Sequence, residues 1–184
     1  MLRGNDGIKP AWDSPIGAIS SARRCGKLDA NSKEGEVISN PSLVRILVVD
    51  DFEDWRHFVI TKLQENRNFC VIGIAADGLE AVRKAEELQP NVIVLDIGLP
   101  CLDGIEAARR IREAAPESKI LFLTQEADLG VARAAISAGG HGYVVKSDAE
   151  EELFAAVEAV LAGKKFVSRR FGGYQRARPD WTSG

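Results

Sequence analysis

Ile46-Leu47-Val48-Val49-Asp50-Asp51 is an unbroken run of four apolar residues that ends on two acids. Such a run is the pattern of a strand buried on both faces, and strands of that kind belong to parallel sheets covered by helices. Outward from it the alternation continues. Asp54 to Asn66 carries Trp55, Phe58, Val59 and Leu63 at helical spacing. Phe69 to Ala75 reads as a second strand and Gly78 to Gln89 as a helix, with Asp77 and Glu80 in capping-box spacing. Val92-Ile93-Val94-Leu95 is the third strand, and Asp103-x-x-Glu106 opens a helix that ends near Pro116. Ile120-Leu121-Phe122-Leu123 is the fourth strand, Ala127 to Ala138 its helix, and Tyr143-Val144-Val145 the fifth strand. Ser147-x-x-Glu150 is expected to cap a last helix bearing Leu153, Val157, Val160 and Leu161. Five β-α units in sequence predict an α/β, doubly wound parallel sheet whose functional edge lies at the carboxyl ends of the strands.

The repeat occupies residues 44–165, and its flanks differ in kind. Residues 1–43 are rich in Gly, Ser, Asn, Lys and Pro and hold too little apolar surface to offset the entropy of ordering them, which predicts a disordered arm. A second reading starts translation at Val44, since Met1 is the only methionine; N-terminal sequencing of natively expressed protein decides between the two. Residues 166–184 read as a short basic tail, too short for a domain. The 184 residues, 45% hydrophobic and 28% charged, fit one globular domain, and a net charge of -3 gives no global reason to expect nucleic acid. Three cysteines, an odd number without metal spacing, fit a reducing cytoplasm better than a disulfide framework. No apolar run approaches the roughly 20 residues of a membrane span, and no secretory signal is visible. The expected setting is the cytoplasm, with no membrane partner.

Asp50 and Asp51 follow the first strand, and Asp96 follows the third. If those strands are neighbours, three carboxylates meet in one crevice, and like charges that close need an offset. Mg²⁺, which prefers oxygen ligands, is the natural one. Thr124 ends the fourth strand and Lys146 the fifth, adding a hydroxyl and an ammonium to the same rim. Carboxylate, divalent ion, hydroxyl and lysine together suit phosphoryl transfer to an aspartate. Each piece alone is weak, because an acid pair after a strand is ordinary loop chemistry and a rim lysine or threonine is ordinary solvated surface. Their position at one end of alternate strands gives the set its force.

With Val94-Leu95-Asp96-Ile97-Gly98-Leu99-Pro100, Asp103-Gly104, Leu123-Thr124 and Gly142-Tyr143-Val144-Val145-Lys146 added to the first run, the chain resembles the response-regulator receiver domains of bacterial two-component systems over about residues 45 to 165. The resemblance implies a flavodoxin-like sheet in the order 2-1-3-4-5. It implies that Asp96 accepts a phosphoryl group from a sensor histidine kinase or a phosphotransfer protein. Asp51, Asp96 and the Gly98 carbonyl would then hold Mg²⁺, with Asp50 acting partly through water, and Thr124 and Lys146 would contact the phosphoryl group. It further implies a switch, in which Thr124 is drawn toward the phosphoryl oxygen and Tyr143 moves from exposed to buried. Such a protein is not an enzyme acting on free substrates, beyond slow self-dephosphorylation of Asp96.

Two departures qualify the match. Ser147 stands where many receivers carry proline, and Gln125 stands where a small residue is common, so it either narrows the entrance to Asp96 or points outward. The stretch from Tyr143 to Asp148, with Gly163 to Ser168, looks like NarL/FixJ-like receivers, which usually continue into a helix-turn-helix domain; none is evident here. The alternatives are therefore a phosphate-independent receiver-like interaction module and a truncated transcriptional regulator. DNA binding by this chain alone is disfavoured, since isolated tail cations give weak, sequence-blind binding. The faces near Tyr143 and the last helix are the expected contact surfaces for an unknown downstream protein, or for a homodimer formed on phosphorylation.

Overall fold

The computed structural model describes residues 43–172; the expected arm, apart from Leu43, and the tail from 173 onward lie outside the described residues. Six parallel strands form one sheet, β1 (Val44–Val49), β2 (Phe69–Ala75), β3 (Val92–Leu95), β4 (Lys119–Thr124), β5 (Gly142–Val145) and β6 (Phe166–Val167), in the order β2-β1-β3-β4-β5-β6. The order 2-1-3-4-5 is as the resemblance implied. The sixth strand is new: the boundary expected after residue 165 falls inside the sheet, because Gly142 and Tyr143 pair with Phe166 and Val167.

Between the strands run α1 (Glu53–Gln64), α2 (Gly78–Leu88), α3 (Gly104–Ala114), α4 (Leu129–Ser137) and α5 (Ala149–Leu161). Side chains alternate across a strand, so each apolar run feeds two cores. Leu47, Val49, Ile93, Leu95, Ile120, Phe122 and Tyr143 pack with Ala81, Ala85, Ala108, Ile111, Ala132 and Ala135 of α2, α3 and α4. Ile46, Val48, Val94, Leu121, Leu123 and Val144 pack with Val59 and Leu63 of α1 and Leu153, Val157 and Val160 of α5. Each fully buried Leu, Ile or Val stabilises by roughly 1.5–3 kcal/mol. None of the helices among the described residues is long and apolar enough to cross a membrane.

The caps follow the sequence with one exception. Asp77 accepts from the Glu80 N–H at 2.8 Å, and Asp103 accepts from the Ile105 and Glu106 N–H groups, both at 3.0 Å. Ser147 does not cap α5. Lys146–Asp148 forms a 3-10 turn and Asp148 takes the N-cap place without a capping bond, because its carboxylate is bound to Arg170 instead. Cys101 is free and exposed.

His141 sits just before β5, where its Nδ1 accepts the Ile120 N–H at 3.2 Å. Burial, reinforced by Lys165, Lys119 and Arg112, holds the imidazole down at about 4. Unfolded, it takes up a proton near its ordinary 6.5. The unfolded chain therefore binds more protons between those values, and stability falls as pH is lowered from about 6.5 toward 4. Thermal melts across that window are expected to fall in the wild type and to fall less in His141→Asn, which cannot protonate.

Candidate functional site

The register of the sheet assembles the acidic edge. Val49 lies beside Leu95, the Asp96 N–H bonds the Val49 carbonyl at 2.9 Å, and the Asp50 N–H bonds the Ala75 carbonyl at 3.1 Å. Asp50 and Asp96 thus leave adjacent strands at one level. Carboxylate oxygens of Asp50, Asp51 and Asp96 all come within 4.8 Å of one another. Asp50 and Asp96 are 3% and 6% exposed, whereas Asp51 faces solvent.

Lys146, only 5% exposed, reaches back across the edge from the end of β5. Its Nζ stands 2.7 Å from Asp50 Oδ2 and 2.7 Å from Asp96 Oδ2. One ammonium between two carboxylates leaves the cluster negative. Burial pushes the Asp50 carboxyl up; Lys146 and the Phe52 N–H pull it down, but less. Asp96 Oδ1 accepts the Ile97 N–H at 2.7 Å, with the Gly98 N–H at 3.4 Å. An exposed acid beside two buried ones, all oxygen donors with charge to spare, is a donor set that fits Mg²⁺.

Thr124 is buried at the end of β4, and its Oγ1 accepts the Glu126 N–H at 3.3 Å. Tyr143 is fully buried and donates its hydroxyl to the Glu126 carbonyl at 2.7 Å, so of the two positions implied for it, it occupies the inner one. Burial first, then Glu126, Asp128 and Asp96, push its phenol well up and keep it a donor. Gln125, the residue after Thr124, is exposed. Gly98 is exposed, with open space where a Cβ would stand.

Four residues escaped the sequence reading. Trp55, taken as part of the apolar face of α1, places its ring 5.3 Å from Lys146 Nζ, a cation–π contact. Arg56 donates from Nη1 to the Asp50 carbonyl at 2.7 Å. Helical spacing marks Trp55 as inward-facing but cannot say what it meets. Ser168 and Arg170, assigned to the tail, bond the turn around Lys146, and no local pattern announces them.

The profile of the response regulator receiver domain matches residues 46–158. The transcriptional activator protein ExaE of Pseudomonas putida is 33% identical over 124 residues, which cover 67% of this chain and 58% of that protein. The response regulator GacA of Pseudomonas viridiflava is 31% identical over 126 residues, covering 68% of this chain and 59% of that one. The chain therefore spans less than two thirds of the length of these curated relatives. Among solved structures, a two-component response regulator of the LuxR family from Aurantimonas sp. SI85-9A1 is similar with a TM-score of 0.70 and 35% identity, over 74% of this chain and 100% of that one. The signal receiver domain of the putative response regulator NarL from Mycobacterium tuberculosis follows with a TM-score of 0.64 and 27% identity, over 67% and 100%. A profile match over more than half of the chain, on a sheet of this order, makes it a member of the response regulator receiver domain family.

Proposed function

We propose that Asp96 accepts a phosphoryl group from a sensor histidine kinase or phosphotransfer protein, and that the modified protein changes its contacts with a downstream partner. The observation that carries this reading is Lys146, held at 2.7 Å from both Asp50 and Asp96 at a buried acidic edge. In the transfer, an Asp96 carboxylate oxygen forms the new O–P bond, the donor's P–N bond breaks, and the donor imidazole leaves. Lys146 is placed to exchange part of its hold on the carboxylates for the incoming phosphoryl oxygens. Asp51, Asp96 and the Gly98 carbonyl are the proposed Mg²⁺ ligands, with Asp50 through water. Bound there, the ion supplies positive charge to the phosphoryl oxygens. Thr124 and Tyr143 are the proposed switch: a Thr124 hydroxyl drawn to the phosphoryl group releases the Glu126 N–H and so acts on the loop that holds Tyr143. Ligands that favour one of two states shift populations only by their differential contacts, and these are the contacts that differ.

Incubation with a small phosphodonor and Mg²⁺, read by intact-protein mass spectrometry, is expected to give one phosphoryl adduct that chelator prevents. No adduct from any donor would leave the phosphate-independent interaction module standing. Mg²⁺ alone is expected to raise the thermal midpoint by mass action. Asp51→Ala, an exposed substitution of small structural cost, is expected to lose most of that rise in a Mg²⁺ titration of melting.

The proposed setting is the cytoplasm, where a histidine kinase presents its phosphoryl group.

A further inference from the structure

Within the turn that carries Lys146, the Ser147 hydroxyl bonds Asp148 Oδ1 at 3.4 Å and the Ala149 N–H bonds the Lys146 carbonyl. The 3-10 turn Lys146–Asp148 makes no side-chain capping bond, and neither does Asp148 as N-cap of α5. No peptide bond in it is cis. Shorter bonds reach it from the segment after β6. Immediately before Lys146, the Val145 N–H donates to the hydroxyl of fully buried Ser168 at 3.0 Å. Immediately after it, Arg170 donates from Nη2 to Ser147 Oγ at 2.7 Å. The same guanidinium closes a fork on Asp148, Nε to Oδ2 and Nη2 to Oδ1, both at 2.6 Å. The segment is itself tied down, since the Arg169 N–H donates to the buried Glu152 carboxylate at 3.1 Å and Phe171 meets the Tyr143 ring edge-on at 6.1 Å.

We propose that Ser168 and Arg170 are positioning residues for Lys146, and that the segment after β6 sets where the ammonium stands between Asp50 and Asp96. A two-pronged guanidinium–carboxylate fork fixes orientation as well as distance, which a single bond does not. Gripped on both sides, the backbone of Lys146 cannot turn without breaking either the Ser168 bond or the fork. Coupling of this kind is reciprocal: loosening the segment displaces Lys146, and new partners for Lys146 load the segment. The proposal rests on the phosphoacceptor reading only for its effect on phosphorylation rate, so its first test avoids that step.

The test is residue-resolved labelling of lysines in the full chain with an acetylating amine reagent, read by digestion and mass spectrometry. Wild-type Lys146, buried between two acids, is expected to label slowly. Arg170→Ala and Ser168→Ala are each expected to raise Lys146 labelling at least about fivefold through local opening, with Lys62 and Lys84 unchanged. Arg170→Lys, which keeps the charge but not the fork, is expected to fall between. In the second arm, Arg170→Ala and Asp148→Asn each slow formation of the Asp96 adduct, and the double variant is no slower than either, as for two partners in one contact. Unchanged Lys146 labelling in both Arg170→Ala and Ser168→Ala would overturn the proposal, as would an equal rise at every lysine. A wild type that forms no adduct would sink the phosphoacceptor reading, while the labelling arm still decides this one.

Discussion

Asp96→Asn is expected to abolish the phosphoryl adduct, a loss of at least about a thousandfold in rate, on the scale seen when the bond-forming residue of an enzyme is removed. The argument is local. An amide does not replace a carboxylate as the oxygen nucleophile toward phosphorus, and the substitution also removes one of the negative charges that fit the cluster to Mg²⁺. The fold is expected to survive. The amide oxygen can keep the Ile97 N–H that Asp96 Oδ1 now accepts, and Lys146 keeps Asp50 as its counter-charge. Replacing one of two like charges beside a single ammonium also relieves repulsion. A melt close to wild type together with a missing adduct therefore reports chemistry. An adduct retained by the asparagine variant would place the acceptor elsewhere and end the assignment of Asp96.

Gly104→Ala is expected to destabilise the domain by about 3 kcal/mol or more, near the upper end for overpacked positions. A Cβ there would fall 1.9 Å from the Asp96 carbonyl oxygen and 2.8 Å from the Ile97 Cα. Both obstacles are backbone, so no rotamer change clears them. The Gly104 N–H also bonds the Ile97 carbonyl at 2.9 Å, which pins the start of α3 to the loop after β3. Relief would require lifting α3 off that loop and disturbing the backbone that presents Asp96. The thermal midpoint is expected to drop by roughly 10 °C. Gly98→Ala is the control: nothing lies within 4 Å of its Cβ position, so its melt is expected to stay near wild type. A Gly104→Ala variant as stable as that control would mean that α3 shifts freely.

The strands were legible because a parallel sheet buried on both faces writes itself as apolar runs, and β1, β3 and β4 are such runs. Asp50, Asp51, Asp96, Thr124 and Lys146 were legible as a set because each lies at the end of a strand or within two residues after it, so finding the strands located the edge. Their division of labour was not. Adjacent acids look alike in sequence, and only the turn after β1 decides that Asp50 enters beside Lys146 while Asp51 faces water. β6 was missed because two residues carry no periodicity, and the residues around it look like a solvated basic tail. The Arg170–Asp148 fork joins residues 22 apart in the chain, so it exists only once β5, α5 and β6 are in place. Ser147 had the right spacing for a cap and was outcompeted, because Arg170 claimed both its hydroxyl and the neighbouring carboxylate.

β6 also bears on solubility. β5 is buried along its whole length, and without a further strand its outer side would present unpaired backbone groups framed by apolar residues. Exposed edges of that kind are templates for adding another chain, and natural sheets blunt them with very short strands and nearby charges. A two-residue strand beside Lys164, Lys165, Arg169 and Arg170 does both. A shortened version ending at residue 165 would strip that protection, leaving an adhesive border prone to self-association even where the remaining domain folds.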